Sequence, residues 1–136
     1  MRVLAFALLL SALLLGPVLL VAGPKDHGPQ EHDYPAWQKA WSRLMAMSPG
    51  VEVDTAWEWP KPGQLDKARL MVLFQRGDWN AQRAGDLDAF LARGGGVVLL
   101  HWAVDGRGQL GKPHLVRRHR AGLADDVLLN VLQVVQ

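Results

Sequence analysis

A chain of 136 residues fits one small domain, and its hydrophobic fraction of 49% is ordinary for a globular protein. The formal charge of +2 is local: residues before Gly106 carry ten basic and eleven acidic side chains, and the later residues carry five and two. That distribution argues against a nucleic-acid surface, and the lack of any cysteine excludes disulfides, thiolate metal ligands and cysteine nucleophiles.

Arg2 precedes an uncharged run from Val3 to Ala22, broken only by Ser11, Gly16 and Pro17. A positive residue ahead of an apolar core is the pattern of an export signal. At ~1.5 Å per helical residue, such a run also approaches the thickness of a bilayer. Pro17 divides it, ending one apolar segment and leaving Val18–Ala22 as a separate strand. We therefore expect a signal peptide or membrane anchor over residues 1–16, with the strand retained. The protein is expected to be exported, periplasmic or extracellular. Its contact with a membrane is expected only through this segment.

Gly23-Pro-Lys-Asp-His-Gly-Pro-Gln-Glu-His-Asp-Tyr-Pro35 follows as a Gly/Pro turn and a loop carrying His27, Glu31 and His32. Asp33 suits an N-cap and Pro35 the first turn of a helix. Trp37, Ala40, Trp41, Leu44 and Met45 recur at helical spacing, which predicts a helix over Tyr34–Met47 with Trp37 and Trp41 in the core. Ser48-Pro-Gly50 stops it. Val51, Val53 and Thr55 alternate with acids as a half-exposed strand, and the prolines of Trp57–Gly63 predict a loop. Leu70–Phe74 is a continuous apolar run of strand length. Gln75–Trp79 is a loop, and a helix over Asn80–Arg93 ends at Gly94-Gly-Gly96. Val97–Leu100 is another buried strand, ending at His101-Trp102. Beyond it, Leu123–Val135 has helix-spaced apolar positions. His114 and His119 receive no role.

Buried strands alternating with helices predict an α/β fold with a parallel sheet and right-handed crossovers. In such a sheet His27, Gln75-Arg76 and His101 fall at strand carboxyl ends, where open α/β sheets place their ligand sites. Histidine and carboxylate suit a divalent metal such as zinc, which makes His27, Glu31, His32 and His101 candidate ligands. The same groups can instead bind sugar hydroxyls, with His27 or His101 as a catalytic base near neutral pH. Arg76 and Asp78 can clamp a substrate, and Trp102 can stack on a sugar ring.

Three blocks in order resemble the ThuA-like (trehalose utilisation) family: the Gly23–Pro35 segment, Phe74-Gln-Arg-Gly-Asp-Trp-Asn80, and Gly94-Gly-Gly-Val-Val-Leu-Leu-His-Trp-Ala-Val-Asp-Gly106. The resemblance covers Val18 to about Gly106. It implies a class I glutamine amidotransferase-like, flavodoxin-like sheet with flanking helices. It also implies a domain acting on or binding a carbohydrate or sugar derivative. Substrate contacts would then come from Glu31, His32, Gln75, Arg76, Asp78 and Trp102. The family loop has Gly where this chain has Gln30. True amidotransferases carry a nucleophilic cysteine at the turn where His101 stands, so thiol chemistry is excluded. Family members continue past Gly106, where this chain departs from them. The expected organisation is a family-like domain over 17–106, incomplete, and a divergent, partly helical tail over 107–136. An incomplete sheet exposes an edge and favours self-association. A non-catalytic sugar- or ligand-binding module, or an inactive truncated fragment, are the other readings. Which sugar is bound, and whether it is turned over, the residues leave open.

Overall fold

A computed structural model describes residues 16–29, 31–76, 79–101, 103 and 131–134, the last four by their backbone alone. The expected export segment before Gly16, and most of the tail, lie outside the described residues. The elements in chain order are β1 (Val18–Ala22), α1 (Tyr34–Ala46), β2 (Val53–Trp57), α2 (Pro62–Lys67), β3 (Leu70–Phe74), α3 (Ala81–Ala92), β4 (Gly96–Leu100) and β5 (Val131–Val134).

The strands form one sheet in the order β2-β1-β3-β4-β5, and every pairing is parallel. The parallel pairing with flanking helices is what the alternation of elements predicts, and the order is the flavodoxin-like one. β1 and β3 are neighbours, with Val18 opposite Leu70 and Ala22 opposite Phe74. The switch in strand order falls between them.

The two faces of the sheet are covered by different helices. Leu19, Val21, Met71, Leu73, Val97 and Leu99 point to one face and join Leu87 and Phe90 of α3 and Leu65 of α2 in the main core. On the other face Leu20, Ala22 and Val72 are buried, and Phe74 packs against Tyr34 and Trp37 of α1. The Gln38 side chain of α1 donates to the carbonyls of Leu20 and Ala56, each at 2.8 Å, fixing the helix across β1 and β2. Asp33 caps α1 by accepting from the Ala36 amide at 2.9 Å, and Asn80 caps α3 by accepting from Arg83 at 2.9 Å.

Four expectations are corrected. Trp41 is exposed rather than core, because the helix presents Tyr34, Trp37 and Gln38 to the sheet and turns Trp41 outward. The proline-rich stretch contains α2, a short helix that Pro62 can open because the first-turn amides need no intrahelical partner. Gln64 holds its start, with its side-chain oxygen accepting from Lys61 and its amide donating to Asp54 and the Thr55 carbonyl. The second strand runs from Val53 to Trp57, two residues later than the alternation suggested, since Ser48–Val51 closes as a turn. Within the stretch expected to be helical, Val131–Val134 is a strand paired with β4. Short apolar runs fit either periodicity, and Val-Leu-Gln-Val can alternate.

Two glycines around α3 test this packing. A Cβ on Gly95 would lie 2.4 Å from the ring of Phe90, a fully buried core residue, whereas a Cβ on Gly85 would meet nothing within 4 Å. We expect Gly95→Ala to destabilise the fold by about 1–3 kcal/mol through overpacking. Gly85→Ala should stabilise it by about 0.5–1 kcal/mol, through helix propensity. Urea denaturation followed by circular dichroism reads both, and equal midpoints for the two variants would contradict this packing.

Candidate functional site

β1 delivers the chain at Ala22 to the carboxyl edge of the sheet, where the loop to α1 begins. Within that loop Gly28 and Glu31 are clasped to each other. The Gly28 amide donates to the Glu31 carboxylate at 2.7 Å, and the Glu31 amide donates back to the Gly28 carbonyl at 3.3 Å. This clasp folds the five-residue spacing between His27 and His32 so that their ring centroids are 5.1 Å apart and edge to face. Glu31 therefore closes the loop and does not join the histidines.

The third imidazole comes from β4. His101 follows Leu100 directly and has a φ of 51°, in the left-handed region that is uncommon for a residue with a side chain. Its ring centroid lies 4.1 Å from that of His32 and 6.0 Å from that of His27. One ring nitrogen from each of the three lies within 4.8 Å of the others. A tetrahedral zinc site with bonds of about 2.1 Å needs ligand nitrogens roughly 3.4 Å apart. Small side-chain rotations cover that difference, and three neutral nitrogen donors suit zinc. The residues present fit a divalent cation.

Two side chains orient the cluster from behind. Asp26 lies 2.5 Å from Nδ1 of His27. A carboxylate on one ring nitrogen fixes the tautomer and directs the other nitrogen toward a ligand. Tyr34, fully buried, places its hydroxyl 3.4 Å from the same Nδ1. Its phenol pKa is pushed up, first by burial, then by the hydrogen bond and negative charge of Asp26, with Arg76 opposing, so Tyr34 remains a protonated donor. Phe74, the last residue of β3, forms the apolar floor, its ring 4.9 Å from Tyr34, 6.1 Å from His32 and 6.5 Å from His101. His101 is exposed overall, yet its ring edge packs among these neighbours. Its pKa is lowered, first by desolvation and then by the proton-repelling rings of His32 and His27, while Asp26 opposes. The neutral imidazole that results is the metal-binding form.

Asp26 also lines a polar cleft of about 290 Å³ with Gly23, Glu58, Gln75, Arg76 and Arg83. Arg76 thus stands where the sequence places it. Gln75 lines the cleft too but is buried, and its amide donates to the Glu58 carbonyl at 2.6 Å, so its first task is to join β3 to the end of β2. The Arg83 guanidinium lies 5.4 Å from the Trp59 ring centre. Asp78 and Trp102 lie outside the described residues.

Asp26, Tyr34, Phe74, Glu58 and Arg83 were not singled out by the sequence. A carboxylate beside a histidine and the chain's single tyrosine at a helix start are readable signals for the first two. Glu58 and Arg83 reach the cleft through topology alone.

The backbone at His101 gives a direct test. At a left-handed position glycine is favoured over alanine by about 1 kcal/mol, the reverse of the usual order. We expect the metal-free His101→Gly variant to be more stable than His101→Ala by about that amount in urea denaturation. An Ala variant at least as stable as the Gly variant would mean that His101 is not held at positive φ.

Comparison of the chain with family models, curated proteins and solved structures finds no match.

Proposed function

We propose that this chain is an exported ThuA-like domain that holds a divalent cation, preferentially zinc, on His27, His32 and His101. We further propose that it binds or transforms a carbohydrate in the adjoining cleft. The observation that carries the reading is the convergence of three imidazole nitrogens, within 4.8 Å of one another, from the ends of two different strands' loops. Three protein ligands leave a coordination position for water or substrate, the pattern of catalytic rather than structural zinc sites. A bound cation would supply Lewis acidity toward a sugar oxygen or a bound water.

The chain's own groups take the remaining tasks. Asp26 orients His27 through its carboxylate, and Tyr34, its hydroxyl kept protonated, steadies that carboxylate by donating to it. Arg76, Arg83 and Gln75 give the cleft the polar lining that sugar hydroxyls need. The carbohydrate class itself is drawn from the resemblance of Gly23–Pro35, Phe74–Asn80 and Gly94–Gly106. Thiol chemistry is excluded, since the chain has no cysteine and His101 occupies the turn where an amidotransferase nucleophile would stand.

Zinc titration by calorimetry should give one site per chain. His32→Ala and His101→Ala should each remove most of the affinity, and Asp26→Ala should lower it about 10–100-fold. Unchanged affinity in both histidine variants would defeat the reading. Zinc at 100 times its Kd should add about 2.7 kcal/mol of stability, and a chelator should reverse the gain. With the metal in place, a disaccharide panel should include a sugar that raises Tm further. Release of a product then separates an enzyme from a binding module.

A further inference from the structure

Among the described residues, Glu58 and His101 are the two non-glycine residues with positive φ, and each directly follows a strand at the carboxyl edge. His101 belongs to the histidine centre. Glu58, with a φ of 60°, belongs to the polar cleft beside it. The local sequence explains where the chain turns. β2 ends at Trp57, and Pro60 biases Trp59 toward extended backbone, so a reversal between them falls on Glu58. The Trp59 amide donates to the Trp57 carbonyl at 2.7 Å and closes a three-residue γ-turn around Glu58. A γ-turn with positive φ at its centre is rare and strained. Glycine adopts it readily and glutamate does not.

Backbone bonds hold this turn. The Glu58 amide donates to the Ala22 carbonyl at 2.7 Å, and the Glu58 carbonyl accepts from the Gln75 side chain at 2.6 Å. Gln75 follows β3, and β1 lies between β2 and β3, so those two strands are about 10 Å apart. The turn has therefore folded inward over the end of β1, which puts Glu58 on the cleft wall beside Gly23. Among the described residues the Glu58 carboxylate has no hydrogen-bond or ion-pair partner. Closing the turn does not need it.

The same turn also positions a donor. Trp59 comes next, and its indole N–H donates to Asp86 of α3 at 2.9 Å while its ring meets Trp79 edge to face at 5.5 Å. The Arg83 guanidinium lies over that ring. Arginine stacked on an aromatic face is pre-organised, and its planar fork of N–H groups suits oxygen acceptors. One turn thus sets a carboxylate acceptor and, through Trp59, a guanidinium donor on one cleft. The charges lining the cleft balance, with Asp26 and Glu58 against Arg76 and Arg83. A hydroxyl both donates and accepts, so it matches a lining of both kinds. A phosphate or carboxylate would meet two like charges there.

We propose that Glu58 is a specificity-determining residue of the cleft. Its carboxylate accepts from a hydroxyl of an uncharged sugar, and a neighbouring sugar oxygen accepts from Arg83. Strained backbone of this kind gathers at functional sites, and here it is what carries the carboxylate inward. The inference rests on the carbohydrate reading of the cleft and names the residue and the class of sugar.

Calorimetry of the full chain with zinc present, against maltose, cellobiose, lactose and trehalose, tests this. The disaccharide that binds best should lose about 10–100-fold in affinity with Glu58→Gln, the range for a hydrogen bond to a charged group. Glu58→Gly should lose as much, yet its urea midpoint should be higher than that of Glu58→Gln, because glycine relieves the turn. A glutamate with only a structural role would not give a variant that is better folded and binds less. Undiminished binding by either variant overturns the proposal and leaves the carbohydrate reading standing. So does a midpoint for Glu58→Gly no higher than that for Glu58→Gln. Glucose 6-phosphate is the charged control. If it binds the natural chain more tightly than the disaccharides do, and Glu58→Gln strengthens that binding, the carboxylate repels an anion and the proposal is again overturned. If none of the four disaccharides and no sugar phosphate binds the natural chain, the carbohydrate reading fails and this proposal falls with it.

Discussion

The pairing of β1 with β3 is the contact on which the rest depends. Two parallel strands side by side must both release their chains at the same edge. Here the chain after β1 turns into α1 on one face, while the chain after β3 leads to α3 on the other. The connections diverge, and a crevice opens between them. Its lining follows from that divergence: Gly23 comes directly after β1, and Gln75 and Arg76 directly after β3. The strands approach so closely at this point that a Cβ on Gly23 would lie 2.6 Å from the Gln75 side-chain oxygen. A larger residue at 23 would displace the amide that bonds the Glu58 carbonyl, and with it the junction between β3 and β2.

Beside this crevice the electrostatics favour a positive guest. His101 has a lowered pKa, first through desolvation and then through the charges of His32 and His27 beside it, so it stands as a neutral donor next to two further imidazoles. Their lone pairs can be satisfied together by one cation. Asp26 on His27 strengthens that preference, because a carboxylate behind a ligand ring makes the ring a better donor. Packing alone does not account for the arrangement. Phe74 and Tyr34 would be covered equally well by apolar side chains, which would need neither the carboxylate nor the positive φ of His101. Strained backbone of this kind persists where surrounding structure holds it, and such positions gather at functional sites.

The parts of the fold that the sequence made legible are those with dense, local signals. Leu70–Phe74 and Val97–Leu100 are runs too apolar for anything but burial, and the cap Asp33 marks the start of the first long helix. Polar residues at three strand ends were enough to expect His27, Glu31 or His32, and His101 near one another. Glu31 could not be separated from them on spacing, because a residue that clasps a loop and one that binds a ligand are the same carboxylate in sequence. Trp41 misled for a related reason. Helical periodicity reports which positions share a side, while the angle at which the helix meets the sheet decides how far that side is covered. Arg83 and Glu58 were beyond sequence reasoning, since only the order of strands brings α3's first turn and β2's end to one cleft.

The last strand changes how the chain after Gly106 is understood. Without β5, β4 would be an outer strand with one row of unpaired backbone groups, and the residue at its end would be held from one side only. Val131–Val134 pairs with Val97–Leu100 in register, so β4 is held by β3 on one side and by β5 on the other. A left-handed residue is unfavourable unless its flanking backbone is fixed, and His101 follows the last paired residue of β4 directly. The tail therefore contributes to the position of the third imidazole, although it lies past the point where the family resemblance ends. Divergence in sequence there does not imply independence in structure, because a parallel edge strand asks for little more than a short run of apolar and branched residues.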